Sequence, residues 1–278
     1  MSATFHPMRS LIYVSCENED YRHKVLHWLY KTHIPESIAQ FEPYVTKYSF
    51  YNALPVPKDG ERFGTCNLQL TEHYFLIHAG EAAKQIKALG ETMTPDILKG
   101  LGVIPGELDV STLTADDMRA FFTQNLKSPF TQAFVPVWWE SDLKGAGRTI
   151  EHGANYRWQF LIKYPDCTDV EEADTWFTGK ALPAFVSMPE TTRVLTSKLL
   201  RDVNNSPYHR VVEIWFDSPS DWRRAAIEQT AKLLTRPSWA QTDVFPYVHP
   251  NEGILGIFLS DFPTTDNLSQ YRGYLTMR

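Results

Sequence analysis

The sequence predicts an α+β chain built from two tandem units, each running strand, helix, strand, strand, helix, strand. Three observations lead there. The 278 residues are long for one unit of roughly 100 residues and suit two. The same order of elements can be read twice, with a boundary near residue 150 that divides the chain into residues 1–150 and 151–278. Finally, Trp28 stands seven residues before Pro35, just as Trp176 stands seven before Pro183, a shared spacing that marks an internal duplication.

In the first unit, residues 1–9 read as an untethered lead-in and 11–16 as the first strand. There Ile12, Val14 and Cys16 suit a helix-covered face, while Tyr13 and Ser15 point the other way. Tyr21, Val25, Trp28 and Leu29 form the apolar stripe of a helix capped by Asn18. Pro35 is expected to stop it near His33. A strand follows at 44–51, a Pro- and Asp-Gly-bearing turn at 54–60, and a third strand at 66–77. In that third strand Asn67, Gln69, Thr71 and His73 alternate with Leu68 and Leu70; if the sheet closes into a barrel, the polar set is expected to line the pocket. Helical stretches at 81–89 and 114–126 flank a Gly- and Pro-punctuated insert at 90–110, and the fourth strand spans 131–140.

The second unit opens after a glycine-rich linker at 144–155. A strand at 156–164 carries Trp158, Phe160 and Ile162 on one face and Arg157, Gln159 and Lys163 on the other. Thr168 with Glu171 reads as a capping box opening a helix. Strands follow at 192–200 and 209–216, Ser218-Pro219 starts another helix, and 254–259 closes the unit, with 244–249 as a competitor.

A helix carrying Trp28, then His33-Ile34-Pro35, then a strand from Tyr44, resembles the EthD-like branch of the dimeric α+β barrel superfamily. That resemblance implies two ferredoxin-like units whose sheets close into an intrachain α+β barrel around a small-molecule pocket. It also implies a choice of chemistries, because the superfamily holds cofactor-free isomerases, cyclases, decarboxylases and monooxygenases beside haem-binding branches with one axial histidine.

Composition excludes other classes. A formal charge of -6 with pI near 5.9 and no basic stripe argue against nucleic acid. Cys16, Cys66 and Cys167 are odd in number and lack a CxxC pair, so disulfides and thiolate zinc are not expected, and a reducing cytoplasm is. No signal segment or membrane span is read. His23 and His27 share a helix face with lysines and have no third ligand in view, and no phosphate loop, nucleophile elbow or dinucleotide fingerprint is present.

The candidate catalytic residues are His33, His73 and Tyr48; the candidate substrate-binding residues are Tyr13, His78, Trp138 and Arg157; no metal site is expected. His33 reads either as a general acid/base facing a pocket or as a buried histidine bonded to a carbonyl at a helix end. His73 and His78, five apart on one strand, point to opposite faces. Tyr13 and Tyr48 lie on flanking strands, where a phenol holds an oxygen or simply packs. One of Trp138 and Trp139 faces inward, as an aromatic wall or as core. Arg157 is either an anchor for a substrate anion or part of a solvated strand face.

The expectation from these readings is a cofactor-independent lyase, performing decarboxylation or elimination on a carboxylated or phenolic aromatic small molecule, with His33 and His73 moving protons and Arg157 holding the anion. Three alternatives stand beside it: an isomerase, cyclase or monooxygenase of the same fold; a haem protein ligated by His152, His209 or His249; and a non-catalytic small-molecule carrier. Homodimerisation of the fused pair is left open.

Overall fold

The computed structural model describes residues 3–41, 44–75, 130–148, 152–200 and 206–268. His78, the helices expected at 81–89 and 114–126, the insert at 90–110 and the boundary at 150 lie outside the described residues. Strands β1 (Ala3–Cys16), β2 (Val45–Asn52), β3 (Gln69–Phe75) and β4 (Phe130–Lys144) belong to the first unit; β5 (Tyr156–Ile162), β6 (Thr191–Lys198), β7 (Arg210–Phe216) and β8 (Ile254–Ser260) belong to the second, with a short β9 (Thr265–Asp266) after it. They form one nine-stranded sheet in the order β8-β5-β7-β6-β4-β1-β3-β2-β9. Within it each unit keeps the same order, fourth-first-third-second, and all neighbours in the sheet run antiparallel. Two ferredoxin-like units are thus joined through β6 and β4.

The two ends of the sheet then meet. Leu54 donates its N–H to Phe258 at 2.7 Å, Cys66 donates to Gly256 at 2.8 Å, and Gly256 donates to Gly64 at 3.0 Å. These bonds satisfy the outer edge of β8 and close an intrachain α+β barrel. Gly64 sits at a φ of 63°, and a Cβ there would lie 2.2 Å from the Ile254 carbonyl oxygen. The closure therefore depends on a bare backbone at this position.

Each helical layer has a π turn, and in the first unit it falls where the sequence suggested a stop. Helix α1 (Arg22–Trp28) passes through a π turn (Leu29–His33) into α2 (Ile34–Phe41). In the second unit α3 (Val170–Trp176) passes through Phe177–Ala181 into α4 (Leu182–Ser187). The expected stop at His33 is thus corrected. The Ile34 N–H reaches back to Leu29, and the Leu182 N–H to Phe177; this five-residue step moves aside the carbonyl that a proline ring would strike, so Pro35 and Pro183 are accommodated without ending the helix. The third helical segment, α5 (Pro219–Arg223) to α6 (Thr230–Leu233), carries another π turn and starts on the Ser218 cap. For α3 the cap is Asp169 rather than Thr168, its carboxylate accepting from the Glu171 and Glu172 N–H groups.

Alternation along the strands sorts the core into two layers. On the helix side of the second unit, Trp158, Phe160, Phe177, Phe185 and Trp222 are fully buried together, each contributing about 2–3 kcal/mol of apolar burial. On the lumen side Leu11, Tyr13, Leu70, Val135, Leu161 and Ile257 meet across the barrel. Residues 3–9 are not an untethered lead-in, because β1 begins at Ala3 and Arg9 is buried.

Candidate active site

Register fixes which side chains meet. Across β1 and β3, Ser10 faces His73, and across β2 and β3, Tyr48 faces the same His73. The Ser10 hydroxyl lies 3.0 Å from His73 Nδ1, and the Tyr48 and His73 rings are 4.4 Å apart. From above, the π turn delivers His33, whose ring stacks on Trp28 at 4.7 Å and lies 3.4 Å from the Ser37 hydroxyl. The sequence candidates His33, His73 and Tyr48 therefore gather in one place, between the helices and the sheet of the first unit. The polar set of β3 does not line the lumen as expected. Its alternation places His73 with Thr71 and Gln69 on the helix side and turns Glu72 and Leu70 inward, because the helical layer covers the opposite face from the one assumed.

Both imidazoles are held neutral. Burial pushes His33 down to about 4. It pushes His73 down to about 3, with the nearby His33 adding to the fall and Glu72 opposing it. Two neutral rings, each with a lone pair, sit against a phenol and a hydroxyl. Such a set can accept a proton from an acidic O–H and return it, and an anion formed beside an imidazole favours its protonated form for the duration of the step.

Tyr13 and Arg157 lie on the lumen side. Tyr13 donates from its hydroxyl to Gln159 Oε1 at 2.6 Å. Arg157 is 4% exposed and donates to Glu213 at 2.9 Å and to Glu72 at 3.2 Å. Arg9 donates to Glu72 at 2.8 Å and Glu213 at 3.3 Å and pairs also with Glu140, while Lys47 pairs with Glu72. Three cations face three carboxylates, so Arg157 has no charge to spare for a substrate anion. The Glu213 carboxyl is held down to about 2, against the cost of burial, by the Arg157 and Arg9 guanidiniums. Trp138 lies on β4.

The two units correspond residue by residue. Arg157 faces Trp215 as Arg9 faces Tyr74, so Arg9 and Glu72 of one unit match Arg157 and Glu213 of the other. The helix side differs. Trp158 faces Ile214 as Ser10 faces His73, and Val194 faces Ile214 as Tyr48 faces His73. At the end of the π turn Ala181 replaces His33. Every polar member of the first cluster is thus apolar in the second unit.

Those replacements confine the polar cluster to the first unit. Residues 5–106 match the family model described as the chalcone isomerase N-terminal domain. That span contains Ser10, His33, Tyr48 and His73, along with Tyr13 and His78, and it ends before Arg157 and Glu213. The description names chalcone isomerase rather than the EthD-like branch that the Trp28 to Pro35 pattern resembles. No curated protein matches the sequence. Among solved structures, the chain is similar to a chlorite dismutase from Candidatus Nitrospira defluvii in complex with imidazole, at 9% identity and a TM-score of 0.42, covering 98% of this chain and 96% of that one. It is also similar to a candidate monooxygenase from Lactobacillus acidophilus NCFM, at 10% identity and a TM-score of 0.36, covering 94% and 96%. Likeness at this level says nothing about activity.

Among the described residues, the second-unit histidines do not build a haem pocket. His209 Nδ1 accepts from the Tyr164 N–H at 3.2 Å and its ring stacks on Tyr164; in the neutral ring this leaves the proton on Nε2, where an axial ligand needs a lone pair. The space between helices and sheet is taken by the aromatic core, and His152 and His249 lie on the exposed surface. Among the described residues no group of three His, Cys, Asp or Glu side chains is placed to hold a metal, and no helix is long and apolar enough to cross a membrane.

The sequence reading missed Ser10, Arg9, Glu72 and Glu213. The duplication held a signal for the last three: once the units are aligned on their strands, Arg9 and Glu72 recur as Arg157 and Glu213.

Proposed function

We propose that the chain is a cofactor-independent isomerase acting on a chalcone-type aromatic, a phenol joined to an enone, through general acid/base catalysis at His33. The observation that carries this reading is the cluster of His33, His73 and Tyr48, its two half-buried imidazoles held neutral, inside the segment matching the chalcone isomerase N-terminal domain. In the reaction the neutral His33 imidazole takes the phenol proton, the phenolate oxygen adds to the β-carbon of the enone, and the enolate so formed takes that proton back from the His33 imidazolium at its α-carbon. Atoms and charge balance, and no redox partner is needed. His73, with Ser10 on Nδ1 and Tyr48 against its ring, keeps a polar wall beside the reacting oxygens.

A lyase step is less well supported, because decarboxylation or elimination from a carboxylated substrate calls for a free cation, and Arg157 is committed to Glu213 and Glu72. Purified protein incubated with 2′-hydroxychalcone should consume the enone absorbance and yield flavanone by chromatography. Replacement His33→Ala should lower kcat about 100-fold or more while leaving the unfolding temperature near that of the parent. An inactive wild type, or a fully active His33→Ala, refutes the assignment.

A further inference from the structure

The hydroxyl beside His73 decides which nitrogen of that ring holds its hydrogen. Ser10 on β1 faces His73 on β3, and its Oγ lies 3.0 Å from His73 Nδ1. Ser10 is 1% exposed, and among the described residues Nδ1 is the one partner of its hydroxyl. Burial keeps the imidazole neutral, at about 3, so the ring holds a single hydrogen. Two arrangements fit that distance. If Nδ1 donated, the hydroxyl would accept, and its own hydrogen would be buried without an acceptor, at a cost of about 1–3 kcal/mol. If the hydroxyl donates to the Nδ1 lone pair, both groups are satisfied. This second arrangement places the ring hydrogen on Nε2.

Nε2 lies on the other edge of the ring. Among the described residues no group bonds to it, and the imidazole is half-buried rather than sealed. Its neighbours are the Tyr48 ring at 4.4 Å and His33, which is close enough to lower the proton affinity of His73. The second unit lacks both halves of the pair, with Trp158 in the place of Ser10 and Ile214 in that of His73. Where the imidazole is absent, so is the hydroxyl. The proposed reaction needs a donor beside its base, because the carbonyl oxygen gains negative charge as the phenolate adds to the β-carbon. In 2′-hydroxychalcone the phenol sits ortho to the carbonyl, so the two oxygens are neighbours. One imidazole that accepts, next to one that donates, matches them.

We propose that Ser10 is a positioning residue that fixes the tautomer and plane of His73, so that His73 donates its Nε2–H to the enone carbonyl oxygen and to the enolate oxygen formed from it. The role of His73 rests on the isomerase reading above. The two imidazoles then have separate tasks: His33 moves the proton, and His73 keeps its own throughout. No bond to hydrogen is made or broken at His73, so atoms and charge balance as before.

The test reads the tautomer and the kinetics separately. In proton–nitrogen correlation spectra of the ¹⁵N-labelled wild type at neutral pH, with His73→Gln to assign the signals, the His73 ring should carry its hydrogen on Nε2. A hydrogen on Nδ1 overturns the assignment of Ser10, whatever the substrate. On 2′-hydroxychalcone, Ser10→Ala should lower kcat about 10- to 100-fold, as when the outer partner of a metal-bound histidine is removed, with KM changed by less than about threefold. Ser10→Thr keeps the hydroxyl and should recover most of that loss. His73→Leu should lose about 100-fold, as when one oxyanion donor is removed, while His73→Gln keeps an N–H donor and should lose less. Full activity in Ser10→Ala, or Ser10→Thr no better than Ser10→Ala, overturns the positioning role. Equal losses in His73→Leu and His73→Gln overturn the donor role. A wild type with the hydrogen on Nε2 that leaves the chalcone unchanged overturns the isomerase reading and the task of His73 with it, and upholds the tautomer set by Ser10.

Discussion

Arg157→Met tests the ion cluster in the barrel lumen. The guanidinium of Arg157 touches Glu213 at 2.9 Å and Glu72 at 3.2 Å, and all three side chains are at most 5% exposed. Methionine keeps much of the volume and removes the charge, so Arg9 and Lys47 are left facing Glu72, Glu140 and Glu213. Removing one partner of a buried pair costs about 3–5 kcal/mol. The pH linkage gives a similar figure: a carboxyl held at about 2 instead of the ordinary 4.5 corresponds to about 3 kcal/mol. The sign follows from the depressed value. That stabilisation is fully present above pH 4.5 and is lost as pH falls through about 2. The variant should therefore unfold about 10 °C lower at pH 7, and its acid unfolding should shift to higher pH. Thermal and urea unfolding, followed by tryptophan fluorescence from pH 2 to 8, measure both. Adding Glu213→Gln to Arg157→Met removes the unpaired charge and should recover part of the loss. A single variant within about 1 kcal/mol of the parent, or a double variant less stable than the single, refutes the reasoning.

Three other outcomes follow from the same geometry. Gly64→Ala forces a Cβ against the Ile254 carbonyl at a positive φ, so it should cost about 2–4 kcal/mol and expose the barrel seam to hydrogen exchange at Cys66 and Gly256. An unchanged urea midpoint would contradict this. His33 and His73 are half-buried and held neutral, at about 4 and about 3, whereas the unfolded chain takes up their protons near 6.5. Their contribution is thus complete above pH 6.5 and declines as pH falls toward those values, and His33→Phe should flatten the stability profile between pH 6.5 and 4. For the same reason kcat/KM on a chalcone should show no basic-group limb near 6.5 and should hold down to about pH 5; a limb at 6.5 would mean that His33 is not the base in the free enzyme.

Local sequence carried a good deal of this. The period-2 pattern of 156–162 separates Trp158, Phe160 and Ile162 from Arg157 and Gln159, and the Trp-to-Pro spacing marks the duplication and shows Ala181 standing for His33. Those are statements about neighbours in the chain, where alternation and helical period set direction. The same local rules misled where a long-range arrangement intervened. A proline after His33 reads as a helix stop, yet packing against the sheet carries the helix through a π turn to Phe41. The polar face of β3 reads as pocket lining only if one knows which face the helices cover. No local rule supplies that.

What the sequence by itself determined is the element order, its repetition and the candidacy of His33, His73 and Tyr48, because each depends on residues a few positions apart. Only the tertiary structure decided that His33 and His73 share one side of the sheet, that Arg157 is tied to Glu213 and Glu72 and so is no anchor for an anion, and that Thr265 and Asp266 pair along the edge of β2. These pairings join residues as far apart in the chain as Ser49 and Asp266. They arise from strand register and barrel closure, where hydrogen bonds between distant backbones fix which side chains meet.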